Sequence, residues 1–175
     1  FTATNKLYGL LESSAISFGF ATATYTGQNF GARNLPRIRS GIRSAMKLAA
    51  LFAVTISVGM VLFGRYLLMM FISSSDADAP AVLELAYQYL TIMSVTLIIL
   101  YALHVYRSAI QGMGNTIIPM IAGLLECVGR VSVALFLPRI VGEYGLFFAE
   151  TTAWLFSAVC VMSAFYVTVH RLSAS

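Results

Sequence analysis

The hydrophobic positions of this chain fall into five long runs, separated by short segments that contain glycine, proline or charged side chains. A helix needs about 20 predominantly apolar residues to cross the hydrocarbon core of a bilayer, and each run reaches that length. The pattern therefore predicts an all-α integral membrane protein with five transmembrane helices. The predicted spans are residues 7–30, 42–63, 85–106, 117–137 and 144–169.

Turn and capping residues support these boundaries. Pro36 and Pro119 lie near predicted helix starts, where the missing backbone N–H does no harm, and Pro138 follows the fourth span. No proline lies in the middle of a span, so no proline kink is predicted. The side chains that suit helix N-caps are Asn34, Asp78 and Thr116.

The first span carries small residues at every fourth position, namely Ala15, Gly19, Ala23 and Gly27. Residues four apart lie on one face of a helix, so these positions form a smooth stripe. Small residues let two helix backbones approach closely in a membrane. We therefore expect another helix to pack against this stripe.

The composition agrees with a chain that lies mostly in lipid. Hydrophobic residues make up 59% of the sequence and charged residues 10%, and the mean hydropathy is +0.83. A soluble domain has about 25% charged residues, so this chain lacks the polar side chains of a water-facing surface. The net charge of +4 arises largely from one basic loop, without an aromatic and basic groove, so no nucleic acid partner is predicted. Cys127 and Cys160 show no metal-ligand spacing, so no metal or cofactor is predicted.

The basic residues predict the orientation of the chain. The loop after the first span, Arg107 after the third span and the tail with His170 and Arg171 lie on one side. The positive-inside rule places that side, and the C-terminus, in the cytoplasm. The N-terminus then lies outside and begins with Phe1 rather than Met, so we expect an upstream part. The basic residues around the first loop are Arg33, Arg37, Arg39, Arg43 and Lys47.

Two charged side chains lie in the middle of the fourth predicted span. Glu126 and Arg130 are four residues apart with the acid first, so they can pair along one helix face. Charges at this depth are costly and mark either paired structure or a polar pathway. Both interpretations stay open: a structural salt bridge, or a carboxylate that exchanges its cation during a transport cycle.

An ordered series of short motifs runs through the chain. Gln28, Asn29 and Gly31 close the first span before the basic loop, and Gln111, Gly112 and Gly114 precede the fourth span. The Glu126–Arg130 pair follows, and Glu150 and Trp154 begin the last span. This series resembles the C-terminal lobe of the multidrug and toxic compound extrusion family, the MATE transporters. We interpret the two glycine-containing motifs as structural turns.

The resemblance implies a twelve-helix transporter of two six-helix lobes, of which this chain is most of one. The missing N-terminal lobe of the same polypeptide is then a partner, together with the lipid bilayer. The implied function is secondary active efflux of organic, often cationic, compounds in antiport with Na⁺ or H⁺. Some members carry an acid in the helix that matches residues 85–106, whereas this helix has none. Coupling would then depend on the first lobe or on another acid such as Glu126.

Further polar and aromatic side chains are candidates for roles in transport. Glu12 and Glu150 lie nearer the ends of their spans and suit either headgroup contacts or pairs with Lys6 or Arg139. His104 lies near the predicted cytoplasmic end of the third span and suits a polar anchor or a proton relay. The aromatic candidates for the substrate cavity, each of which also suits helix packing, are Trp154, Tyr101 and Phe148.

Two alternative functions remain open from the sequence. A lipid-linked sugar flippase would carry more cationic residues in its cavity, whereas Arg130 is the cation predicted near the mid-membrane. A non-transporting membrane subunit would tolerate substitution at Glu126. An enzyme is not predicted, because the sequence lacks a Ser/His/Asp set, paired catalytic carboxylates and an HExxH motif.

Overall fold

The computed structural model describes residues 2–70, 79–142, 145 and 147–174. The described residues form α-helices and no strand, which confirms the predicted all-α class. The helices are α1 (Thr2–Gly31), α2 (Leu35–Met69), α3 (Ala79–Val95), α4 (Leu97–Gly112), α5 (Ile117–Phe136), α6 (Pro138–Val141) and α7 (Phe147–Ala174).

Three stretches of the described chain are long and apolar enough to cross a membrane: Leu35–Met69, Ile117–Ile140 and Phe147–Ser173. The bent pair of α3 and α4 adds a fourth if it is one span. Helix α1 has the length of a span, but its Gly, Ser, Thr and amide side chains keep its hydropathy below that of the others. The predicted start of the fifth span, residue 144, lies outside the described residues.

The third predicted span is not one straight helix. It is broken at Thr96, where α3 and α4 meet at an angle of 45°. The Thr96 hydroxyl donates to the carbonyl oxygens of Ile92 (2.9 Å) and Met93 (3.2 Å), and Ser94 donates to Leu90 (2.7 Å). Such hydroxyl bonds compete with the helical amides and bend a helix. No proline lies at the bend, so the bend is consistent with the prediction that no proline kink occurs.

The small-residue stripe of α1 packs against α4, as the sequence predicted. A Cβ atom added at Gly19 would lie 2.7 Å from the Ser108 hydroxyl oxygen, and one at Gly27 would lie 3.3 Å from the Gly112 carbonyl oxygen. On the opposite side, a Cβ at Gly112 would lie 2.5 Å from the Ala23 carbonyl oxygen. Backbone therefore touches backbone here, which only glycine permits. Gly112 is a packing residue as well as part of a turn motif.

Helices α1 and α4 end in the same way: a residue of positive φ is followed by a residue whose backbone N–H bonds to the carbonyl five residues earlier. Arg33 (φ 54°) allows Asn34 N–H to reach the Asn29 carbonyl, and Gly114 (φ 82°) allows Asn115 N–H to reach the Ile110 carbonyl. This is the Schellman arrangement. The turn that was expected at Gly31 therefore lies at Arg33, because Gly31 is the last helical residue of α1.

The helix N-caps agree in part with the sequence. The Asn34 side chain accepts from Arg37 N–H (3.1 Å), as predicted. Thr116 makes no capping bond; Asn115 accepts instead from the N–H groups of Ile117 and Ile118. The proposed cap Asp78 lies outside the described residues.

The backbone contact between α1 and α4 leads to a prediction. Gly112→Ala places its methyl group against backbone atoms, which cannot rotate away, so the two helices must separate. Overpacking of this kind costs about 1–3 kcal/mol, and we expect the melting temperature of the full-length protein in detergent to fall by about 3 °C or more. Gly59→Ala in α2 is the matched control, because no atom lies within 4 Å of the added carbon. Equal melting temperatures for the two variants would contradict the packing role.

Candidate functional site

Four charged side chains from three helices form a continuous series of ion pairs, here named the ionic chain: Arg107, Glu126, Arg130 and Glu150. Arg107 of α4 lies 3.0 Å from the Glu126 carboxylate of α5. The other Glu126 oxygen lies 3.2 Å from Arg130, and Arg130 lies 2.8 Å from Glu150 of α7. Two positive and two negative charges balance.

The pair at the centre of the ionic chain was predicted from its spacing, and the structure confirms it. Glu126 lies about halfway along α5, and Arg130 follows one turn later. Both Glu126 oxygens are used, each by a different guanidinium group. The Glu126 side chain is 20% exposed, whereas the Arg130 side chain is 44% exposed. The carboxylate is therefore the more enclosed member, and the arginine is the more accessible one.

Arg107 was predicted to lie in a cytoplasmic loop, and this was wrong. It lies within α4, which continues to Gly112. Its guanidinium group also donates to the buried Ser157 hydroxyl of α7 (3.2 Å), so one side chain links α4 to both α5 and α7. The sequence did contain a signal for the true helix end. No residue between Tyr106 and Gly112 breaks a helix, so the helix could have been predicted to continue to the glycine turn.

The acidic side chains near the helix ends have different surroundings from those expected. Glu150 pairs with Arg130 rather than with Arg139, whose guanidinium carbon lies 5.8 Å from the centre of the Phe136 ring. Glu12 lies beside Tyr8 and near Glu150. The polar cluster around the ionic chain therefore extends to α1.

His104 lies on α4 one turn before Arg107, near both Arg107 and Glu126. Helix α4 continues for two further turns, so His104 lies farther from the helix end than the sequence predicted. The side chain is partly buried. Its position beside the ionic chain makes it the histidine to test for a role in proton transfer.

The aromatic cavity candidates differ in their exposure. Trp154 is buried and stacks on Tyr8 with ring centroids 5.7 Å apart. Tyr101 is also buried, bonded to the Ser14 hydroxyl and packed edge-on against Phe18. Both rings are core residues in this conformation. Phe148 is 42% exposed and is the one of the three that a solute can reach.

The two glycine-containing motifs have structural roles in the described chain. The Asn29 amide donates to the Tyr25 carbonyl (2.7 Å), which holds the last turn of α1. The Gln28 and Gln111 side chains are exposed, and the carbonyl of Gln111 accepts from Gly114 N–H (2.9 Å). Neither motif supplies a side chain to the ionic chain.

The ionic chain can act by exchange of partners. Arg130 lies between two carboxylates, and Glu126 lies between two guanidinium groups, so neutralising one member changes the pairing of its neighbours. Among the described residues, no group of three or more His, Cys, Asp or Glu side chains is placed to hold a metal ion. A carboxylate in such a series that accepts a proton loses its charge and weakens its hold on the neighbouring arginine.

Comparison with known proteins decides the family. Residues 1–136 match the family model MatE. The chain belongs to the MatE family. No curated protein matches the chain.

Two solved structures are similar to this MatE chain over its whole length. One is described as the inward-facing conformation of a multidrug resistance MATE family transporter of the MOP superfamily, with a TM-score of 0.90 and 17% identity. The other is described as MATE in complex with MaL6, with a TM-score of 0.89 and 17% identity. At this identity the likeness shows the fold alone. The chain covers 40% and 39% of the two structures, so it spans less than half the length of either.

The ionic chain leads to a prediction for Arg107. Arg107→Gln removes the link from α4 to both Glu126 and Ser157, and breaking a partly buried pair is much more costly than breaking an exposed one. We expect lower abundance and a lower melting temperature of the full-length protein. Arg65→Gln is the matched control, because its pair with Glu84 is 3.9 Å long and both side chains are about half exposed (55% and 51%). If both variants are equally stable, Arg107 does not hold α4 to α5.

Proposed function

We propose that this MatE chain is most of the C-terminal lobe of a twelve-helix secondary transporter, with five spans formed by α1, α2, the bent pair of α3 and α4, α5 and α7. The transporter exports organic, often cationic, compounds in antiport with Na⁺ or H⁺ across the plasma membrane. The observation that carries the proposal is the family match over residues 1–136. The likeness to a structure described as a multidrug resistance transporter supports it.

The mechanism that we propose is alternating access of the two lobes. A ligand shifts such an equilibrium only by binding one state more tightly than the other. Binding of a cation must therefore favour the state that has released the organic solute. Glu126 suits this role, because its carboxylate lies at mid-helix between two guanidinium groups on different helices. A proton or Na⁺ on Glu126 weakens its attraction for Arg107 and Arg130.

The charge balance of the ionic chain favours efflux over the flippase alternative. The structure places a second arginine, Arg107, beside Glu126, in addition to the Arg130 considered from the sequence. Each of these arginines is nevertheless paired with a carboxylate. The ionic chain therefore offers no unpaired cation to a lipid-linked phosphate.

The antiport proposal is tested with the full-length polypeptide in everted vesicles loaded with a fluorescent organic cation. A Na⁺ gradient and a pH gradient are imposed separately, and dye movement is followed. We expect one gradient to drive dye flux, which identifies the coupling ion. The absence of flux under both gradients, with folded protein, would contradict antiport and favour the flippase or the non-transporting subunit.

Two variants distinguish a structural role of Glu126, as an ion-pair partner, from a role in binding the coupling cation. Glu126→Gln leaves Arg107 without its carboxylate, so we expect low abundance. The double variant Glu126→Gln, Arg107→Gln is again charge-balanced, since Arg130 keeps Glu150. We expect the double variant to recover abundance but to lose gradient-driven dye flux.

The matched control for this experiment is Glu84→Gln, which removes an exposed acid and should leave abundance and flux unchanged. Normal flux in the folded double variant would show that Glu126 is only a structural ion pair partner. Normal folding and normal flux in Glu126→Gln alone would show that Glu126 is needed neither as an ion-pair partner nor for cation coupling.

A further inference from the structure

The positive charge at one end of the helix bundle has no acidic partner in the sequence around it. Residues 13–75 contain no Asp or Glu, and neither do residues 151–175. These two segments nevertheless hold the basic loop and the basic tail. The residues concerned are Arg33, Arg37, Arg39, Arg43, Lys47, His170 and Arg171.

The acids in the described part of the chain lie elsewhere. Glu126 and Glu150 belong to the ionic chain, and Glu84 pairs with Arg65. Glu12 lies 19 residues before the end of α1, which is about 28 Å along the helix axis. None of these four acids therefore compensates the positive charge of the basic loop and the basic tail.

Part of this positive charge surrounds a cavity of about 550 Å³ between α2 and α7. Four of its lining side chains are basic, and Phe165 and Tyr166 supply aromatic walls. The basic lining residues are Arg39, Arg43, His170 and Arg171. A cavity of this size holds a phosphate group together with its substituents.

The cavity is built by contacts that fix its walls. Arg39 of α2 donates to the Ser173 hydroxyl (2.7 Å) and to the Val169 carbonyl (3.4 Å) of α7, which holds the two helices in register. Tyr166 shares a hydroxyl bond of 3.0 Å with Tyr106. Within the described residues, Arg43 and Arg171 have no ion pair, so their guanidinium groups are available to an anion.

The surroundings of the cavity indicate what kind of anion it accepts. Its rim on α7 is apolar and about half exposed, at Tyr166 (57%) and Val167 (50%). On α2, the exposed side chains of Leu51 and Val54 lie about two to three turns beyond Arg43. A basic cavity therefore borders an exposed apolar surface, which suits a molecule with an anionic head and hydrocarbon tails.

We propose that the cavity between α2 and α7 binds the phosphate headgroup of an anionic phospholipid, with the acyl chains against the apolar flanks of the same helices. Arg43 and Arg171 bind the phosphate oxygens, and Arg39 fixes the cavity wall. Basic pockets between membrane helices bind such headgroups by charge-assisted hydrogen bonds. The site is independent of the transport proposal, since it uses no residue of the ionic chain.

The test is native mass spectrometry of the full-length protein after delipidation, with titration by phosphatidylglycerol, phosphatidylcholine or inorganic phosphate. We expect phosphatidylglycerol to bind roughly tenfold more tightly than phosphatidylcholine, and inorganic phosphate to compete weakly. Equal binding of the two lipids would overturn the proposal. Strong competition by inorganic phosphate would also overturn it, because the site would then be a general anion site.

A charge-matched pair of variants locates the binding site. Arg43→Gln, Arg171→Gln removes two charges from the cavity, whereas Arg37→Gln, Lys47→Gln removes two charges from the same end outside it. We expect about a tenfold loss of phosphatidylglycerol affinity in the first variant and less than about a threefold loss in the second. Equal losses would show that diffuse charge, not the cavity, attracts the lipid.

Single variants replace the double variant Arg43→Gln, Arg171→Gln if that protein does not fold. Arg43→Gln alone is then compared with Arg37→Gln alone, both on exposed positions of α2. We expect about a threefold loss for Arg43→Gln and no loss for Arg37→Gln. The same affinity in both single variants would overturn the proposal.

Discussion

A charge in the middle of a membrane helix needs a partner, and this need positions α5. The buried side of α5 consists of small residues and proline, namely Pro119, Ala122 and Gly129, so it packs closely on α7 but touches α4 in few places. The Arg107–Glu126 pair is the polar link across that sparse contact. Without it, the partly buried Arg107 would have no carboxylate partner, whereas Glu126 would keep Arg130. The ionic chain thus sets the spacing of three helices.

Two kinds of contact hold the described bundle together, and they differ in how they respond to a change of state. Helices α1 and α4 meet backbone to backbone at Gly27 and Gly112, where no rearrangement is possible unless the helices separate. Helix α5, by contrast, is joined to its neighbours by arginines that each lie near more than one oxygen. Partner exchange can proceed there without loss of charge balance. A change of ion-pair partners therefore alters the sparse contact of α5 with α4 more readily than its close packing on α7.

Local patterns predicted much of the fold but not the whole site. The small-residue stripe, the Asn34 cap and the Glu126–Arg130 pair each depend on spacing within one helix, so they were visible in the sequence. Arg107, Glu150 and Ser157 join that pair only through the packing of different helices, which no spacing encodes. The bend at Thr96 was missed because serine and threonine hydroxyls also bond to the backbone of unbroken helices, as Ser13, Ser17 and Thr24 do in α1, so such residues do not mark a bend in the sequence. The position of Arg107 was missed for a simpler reason: the helix end was placed at the last apolar residue instead of at the glycine turn.

The distribution of charge along the helices follows from the same physical constraint. At mid-helix, the two arginines of the ionic chain are matched by two carboxylates. At the basic end, the sequence around the positive charge supplies no acid, because residues 13–75 and 151–175 contain neither Asp nor Glu. Unmatched charge costs little only where the surroundings neutralise it, and lipid phosphates do this at the level of the headgroups. The lipid that we propose for the cavity between α2 and α7 would therefore complete the charge pattern of this chain.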